Sequence, residues 1–212
     1  MNRYILKSTI VSLIFCAALV TLCYFYVDRS VADFVYAHNF SKYSIWFEWS
    51  THISPLLLYL APIVVIILVL KKVIAKQLSR LATVFLAISV NLIVTVSIKD
   101  ELKFVFGRYW PATWIDNNPS WLQNHAYGFH FFHSGKAFQS FPSGHTAIIF
   151  AVMSIIWMVY PKWRWLSVIS CMLVMLSLLA LNYHFVSDII VGGFLGSITG
   201  MYTVYFMKLK LP

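Results

Sequence analysis

Residues 138–150 read Phe138-Gln139-Ser140-Phe141-Pro142-Ser143-Gly144-His145-Thr146-Ala147-Ile148-Ile149-Phe150. Pro142 and Gly144 bracket a tight bend that opens at once into an apolar segment. The free backbone N–H groups of Ser143 to Thr146 therefore point out of a helix N-terminus, where an anion is favoured. His145 sits in the bend, and histidine is the side chain whose ordinary pKa lets it give or take a proton near neutrality. On this stretch alone, a proline-glycine turn with a passing histidine explains the residues as well as half of a phosphate site does. The rest of the chain decides between them.

Of the 212 residues, 60% are apolar and only 11% charged, with a mean hydropathy of +0.78, which takes the chain outside the composition of a soluble domain. No low-complexity tract and no solenoid repeat is present. The expectation is an all-α, polytopic membrane protein of one domain, with residues 1–80 as N-terminal spans and an interfacial connection and residues 81–207 as a motif-bearing core. The formal charge of +9 does not point to nucleic acid, because the basic residues fall at the ends of apolar runs. Cys16, Cys23 and Cys171 lie inside apolar segments as small hydrophobes, so no disulfide framework is indicated.

Six apolar runs read as transmembrane helices: residues 5–27, 53–70, 81–98, 146–160, 165–183 and 189–207. The first resembles a signal peptide in charge order, but its length and the lack of a small-x-small cleavage site predict that it is retained. Residues 28–51 read as a non-spanning connection in which Trp46, Phe47 and Trp49 suit the lipid-water interface. Residues 99–141 read as the longest loop, where function tends to concentrate. Gly192, Gly196 and Gly200 recur at four-residue spacing and predict a close helix-packing face.

Six spans put both termini on one side. Arg3, Lys7, Lys71, Lys72, Lys76, Arg80, Lys162, Arg164, Lys208 and Lys210 share that side, which the positive-inside rule makes cytoplasmic. The acidic residues, the Pro142–His145 bend and the His184 to Asp188 segment take the other. The site thus faces outward, and in a bacterial cell with two membranes this is the periplasmic side of the inner one.

His184 and Asp188 are four residues apart, so on a helical turn they face the same way. A carboxylate there can accept the Nδ1 proton and leave Nε2 as nucleophile or base. An interfacial histidine beside a helix-capping aspartate is the plainer alternative. Lys103 and Arg108, on the same side as the bend, can hold a phosphate through charge-assisted hydrogen bonds; alone, they suit ordinary headgroup contacts equally well. His125, His130 and His133 lack the helical spacing of a zinc site, so no metal or other cofactor is expected.

Together these residues resemble the type 2 phosphatidic acid phosphatase superfamily of membrane lipid phosphatases. Its second motif, Pro-Ser-Gly-His, matches in full at Pro142, Ser143, Gly144 and His145. Its third, Ser-Arg, five residues, His, three residues, Asp, matches at Ser177, His184 and Asp188. Its first, Lys, six residues, Arg-Pro, matches at Lys103 and Pro111. The resemblance covers residues 81–200 and implies two-step phosphoryl transfer without metal. His184 would attack phosphorus, Asp188 would orient it, and His145 would protonate the leaving oxygen and then activate water. Lys103, Ser143 and Gly144 would bind the phosphate. Two arginines of the family pattern are replaced, by Trp110 and Leu178. Arg108 is the expected substitute ligand for the first, and Lys136 or a loop histidine for the second, with Trp110 and Lys136 as lid or headgroup contacts.

The implied partners are the bilayer and a lipid phosphate, with no nucleic acid and no obligatory protein partner. Phosphatidic acid, phosphatidylglycerophosphate, an isoprenyl phosphate such as undecaprenyl pyrophosphate, and lipid A all satisfy the pattern, and the aromatic stretch from Trp110 to Trp121 favours a glycolipid. A phospholipid-binding protein whose catalysis has lapsed is the alternative. It would have no need of an acid and a nucleophile. A transporter would carry its ionisable residues near span centres instead.

Overall fold

The computed structural model describes residues 3–40, 44–114 and 116–211; of the interfacial aromatics expected between residues 28 and 51, the side chain of Trp46 lies outside the described set. The described chain is helical, without a β-strand. Its helices are α1 (Arg3–Leu22), α2 (Asp28–Ala37), α3 (Ser44–Ala75), α4 (Arg80–Phe106), the single turn α5 (Trp121–Asn124), α6 (Gly144–Val159), α7 (Arg164–Ala180) and α8 (Val186–Phe206). Five stretches are long and apolar enough to cross a membrane: Ile5–Ala37, Phe47–Ala75, Arg80–Phe106, Pro161–Ala180 and Val186–Phe206. At 16 residues, α6 is shorter.

Several helix ends differ from the sequence reading. α3 overruns both ends of the expected 53–70 and reaches back into the expected connection. α1 passes through one π-helical turn, Cys23–Val27, straight into α2, so Asp28 begins a helix rather than a connection. It can lie buried within an apolar stretch because its carboxylate is fully paired there. α4 likewise continues past residue 98 to Phe106, which places Lys99 and Lys103 on a helix. Ser79 caps its start, its Oγ accepting the Ala82 N–H at 3.3 Å. Gly107 stops it at φ 45°, where a Cβ would stand 2.1 Å from the His130 carbonyl oxygen; only glycine fits that crossing of loop and helix end.

The most intimate contact in the bundle is between α6 and α8, and the three-glycine face makes it. A Cβ on Gly192 would lie 2.5 Å from the Ser143 carbonyl oxygen, one on Gly196 2.3 Å from that of Ala147, and one on Gly200 1.9 Å from Ser154 Oγ. Around this pair, α4 adds Val84 and Ala87 to a cluster with Ile155, Val159 and Val204, while α7 adds Cys171, Val174 and Leu178 against Ile149 and Ile189. Polar stitches cross the same interfaces: Asn91 Nδ2 donates to the Ala151 carbonyl at 3.0 Å, and Thr95 and Thr199 hydroxyls meet at 2.8 Å. In a lipid environment such bonds satisfy groups that would otherwise be stranded. Outward faces of α1, α3 and α7 expose Ile14, Phe15, Ile66, Ile67, Ile169 and Leu173, as lipid contact requires.

Candidate active site

Residues 108–114 and 116–143 fold over one end of the bundle. Arg108 bridges at its backbone to Phe129 and Gln139, and the Phe138 carbonyl accepts its N–H at 2.7 Å, so the loop returns alongside the end of α4. That return delivers the Pro142–His145 bend to the mouth of a cavity of about 510 Å³. Lys99 and Lys103 of α4, Trp110 and Gln139 of the loop, Gly144, His145 and Ile148 of α6, His184, and Ser54, Pro55, Leu58 and Tyr59 of α3 line it. Among the described lining residues there are two lysines and two histidines and no carboxylate. With the N-terminus of α6 opening into it, the cavity is built for an anion.

His184 is 4% exposed, in the short link between α7 and α8, and its ring lies 5.2 Å from that of Trp110. Its Nδ1 is 3.6 Å from Asp188 Oδ2, too long for a hydrogen bond in this resting arrangement, and is otherwise unpartnered. Burial pushes the imidazole below the usual histidine range, against the opposing pull of Asp188. Neutral His184 is therefore the resting form near pH 7, the form a nucleophile needs. Asp188 stands behind the imidazole, outside the cavity, with Oδ2 accepting from Ser140 Oγ at 2.7 Å and from the Phe185 N–H at 3.0 Å.

Of the expected phosphate ligands, Lys103 and Gly144 reach the cavity, Lys103 with its ammonium held by the Gln139 carbonyl and 5.5 Å above the Trp110 ring. Ser143 does not. Its side chain is wholly buried as the N-cap of α6, its Oγ accepting from the Thr146 N–H at 3.4 Å and meeting the Thr146 hydroxyl at 3.0 Å. Arg108 is also turned away. Its guanidinium is 0% exposed and lies behind Asp188, donating to Asp188 Oδ1 at 2.5 Å and to Asp28 Oδ2 at 2.8 Å. Two carboxylates hold it there more firmly than a transient phosphate can, so the expected ligand is a structural cation. Burial opposes its charge, but Asp188 and Asp28 outweigh burial and raise its pKa further.

Lys136 is exposed and lies off the cavity, offering its carbonyl to the Trp110 indole N–H at 2.8 Å. Leu178 fills apolar core at 0% exposure, with no route for a ligand at that position. Of the aromatic stretch, only Trp110 lines the cavity. Trp114 packs on Tyr183, and Trp121 donates to Asp33. Sequence reading missed Lys99, whose Cδ lies 3.3 Å from where a Gly144 Cβ would be; its i, i+4 spacing from Lys103 was the available signal. It also missed Asp28, which carries no local signal at all.

A family model described as the PAP2 superfamily matches residues 80–211. This chain belongs to the PAP2 superfamily. No curated protein matches it. Among solved structures, it is similar to the crystal structure of the first transmembrane PAP2 type phosphatidylglycerolphosphate phosphatase from Bacillus subtilis, at 19% identity and a TM-score of 0.59, covering 95% of this chain and 97% of that one. At that identity the likeness establishes the fold. The PAP2 match and the apolar helices together make the chain an integral membrane protein of a phosphatase family, with the cavity described above bounded by its three motifs.

Proposed function

We propose that this protein hydrolyses the phosphate ester or pyrophosphate of a membrane lipid, without a metal, through a phosphohistidine on His184. The observation that carries the reading is the convergence of His145, His184 and Lys103 on one cavity without a carboxylate among its described lining residues, with Asp188 directly behind His184.

In the first step His184 Nε2 attacks phosphorus, the bond to the lipid oxygen breaks, and His145 gives that oxygen a proton. Burial, together with His184 and Lys103, holds the His145 imidazole pKa down at about 4, so it takes up this proton from the acidic oxygen of the bound phosphate, whose negative charge favours the imidazolium. As Nε2 becomes bonded to phosphorus the imidazole turns cationic, and closing the 3.6 Å gap to Asp188 stabilises that charge. In the second step His145, now neutral, takes a proton from water, hydroxide displaces His184 from phosphorus, and inorganic phosphate leaves. Lys99, Lys103 and the N–H groups at the start of α6 stabilise the equatorial oxygens throughout, the main requirement of phosphoryl transfer. Lys99 supplies the second cation that the replaced family arginines do not.

The lipid character of the substrate follows from the opposite wall, where Leu58, Tyr59 and Ile148 give the cavity an apolar side toward α3. Six spans with the cavity at the outer face remain the topology that the basic residues support. The glycolipid preference now rests on Trp110 alone, so phosphatidylglycerophosphate, phosphatidic acid, undecaprenyl pyrophosphate and lipid A form the test panel.

Phosphate release by purified protein in detergent with chelator, beside His184→Ala, tests the reading. Release from a panel member that is lost in His184→Ala is expected. Release that survives the substitution would overturn the mechanism, and bound but uncleaved lipid across the panel would make the protein a binder.

A further inference from the structure

The reading of His184 as nucleophile leaves a buried charge cluster behind it without a role. Asp28, at the start of α2, is 1% exposed and lies outside the family-matched residues 80–211. Its Oδ2 takes the Arg108 guanidinium at 2.8 Å and the Tyr127 hydroxyl at 3.3 Å; its Oδ1 accepts the Ser187 backbone N–H at 2.9 Å, and the Ser187 hydroxyl also donates to Oδ2. The other arm of the same guanidinium holds Asp188 Oδ1 at 2.5 Å and donates to Ser187 Oγ at 2.7 Å. Aromatic faces close the site, with the rings of Phe185 and Phe129 centred 4.4 Å and 5.0 Å from the guanidinium carbon.

This arrangement grips Asp188 from two directions. Through Arg108, Asp28 fixes the position of Oδ1; through the Ser187 N–H, it fixes the first turn of α8, from which the Asp188 side chain springs. Oδ2, bound only by Ser140 and the Phe185 N–H, is left pointing toward His184 Nδ1. A guanidinium forked between two carboxylates is fixed by both arms: without Asp28 the Nη2 arm loses its ion-pair partner, and Arg108 can shift and take Asp188 Oδ1 with it.

We propose that Asp28 is a positioning residue for catalysis: through Arg108 and Ser187 it holds Asp188 at the orientation that His184 needs, making the N-terminal helix part of the active-site apparatus. The inference rests on the proposed role of His184. The groups facing His184 are Asp188 of α8, Lys103 of α4, His145 of α6 and the Trp110 ring of the loop, with the Asp28 and Arg108 pair behind Asp188. Removing the charge of Asp28 takes negative potential away from the imidazole and loosens Asp188. Both effects make His184 harder to protonate.

The test is steady-state kinetics of Asp28→Asn on the best lipid substrate, with His184→Ala alongside and each preparation checked as monodisperse. Asp28→Asn is expected to lower kcat about 10- to 100-fold, the usual effect of removing a supporting partner, to leave KM within about twofold, and to move the acid limb of kcat/KM to lower pH. A purely structural role would reduce only the folded fraction and leave the limb in place. If Asp28→Asn does not fold, Asp28→Glu carries the test: it keeps the charge and displaces the carboxylate, so kcat falls while the limb stays. Wild-type kcat and pH profile in either folded variant would overturn the proposal. If His184→Ala is inactive and Asp28→Asn behaves as wild type, only this inference falls; if His184→Ala remains active, the phosphohistidine reading falls and this inference with it.

Discussion

Lys99 and Lys103 stand one helical turn apart on α4 and line the same cavity, and on the proposed mechanism Lys99 supplies the cation that the family pattern assigns to arginine. Lys99 is only 14% exposed, its ammonium 2.6 Å from the exposed carboxylate of Asp100, so it is held at the rim and available to an incoming phosphate. Lys99→Met should lower kcat/KM about 10- to 100-fold, the worth of one charge-assisted hydrogen bond, as read from initial rates at fixed detergent. His184 gives a pH signature. Because burial lowers its pKa from the ordinary 6.5, it stays neutral and nucleophilic to below that value and loses activity only as pH falls through its own shifted pKa. The acid limb of kcat/KM should therefore lie below 6.5; a limb above 7 would contradict the geometry. That His145, His184, Lys103 and Gly144 share one cavity was foreshadowed by a bend opening a helix, by the four-residue interval to Asp188 and, for Lys103, by the motif resemblance. Arg108 was legible as a cation near the site but not in its role, since its partners Asp28 and Asp188 lie 80 positions away on either side. Ser143 was misread for the opposite reason, because a serine at a helix start can cap the helix as readily as bind a ligand.

At the scale of elements, the glycine face was readable from period alone, and the backbone contacts give it a magnitude. A Gly196→Val side chain would collide with the Ala147 carbonyl and the Ala151 N–H, backbone atoms that cannot step aside without separating α6 from α8. The expected effect is a loss of about 3 kcal/mol or more, seen as a lowered melting midpoint in detergent, with activity falling alongside because the two helices carry His145 and Asp188. Helix ends were less legible. Hydropathy ends α4 where the charges begin, yet Lys99 to Phe106 remain helical until Gly107 supplies a positive φ. The same rule separated Asp28 from the apolar run before it, because a pattern along the chain does not show that a carboxylate meets its counter-ion from another helix.

Across the whole molecule, the alternation of helices gathers the start of α1, the end of α3, the start of α4, the end of α6, the start of α7 and the end of α8 at one pole. Arg80 confirms that gathering, donating to the carbonyls of Val159 at 3.5 Å and Lys210 at 3.4 Å. If this pole is cytoplasmic, a cysteine placed at exposed His133 should react with a membrane-impermeant maleimide in intact cells. One placed at Lys162 should react only after permeabilisation, and the buried Cys16, Cys23 and Cys171 should add little background. The short length of α6 carries a further meaning. Its 16 residues rise about 24 Å, against about 30 Å of hydrocarbon, while α4 runs on about 10 Å beyond Lys99 and α3 begins about 15 Å beyond Ser54. His145 sits at the first turn of α6, the shortest of the long apolar helices, and shares the cavity with His184 from the link between α7 and α8, flanked by the longer α3 and α4. On the proposed function, a lipid phosphate would descend below the headgroup plane to reach this cavity, and a thinner bilayer would shorten that descent. Under that reading hydrophobic mismatch is a kinetic variable, and turnover measured in bilayers of shorter acyl chains should exceed that in longer ones.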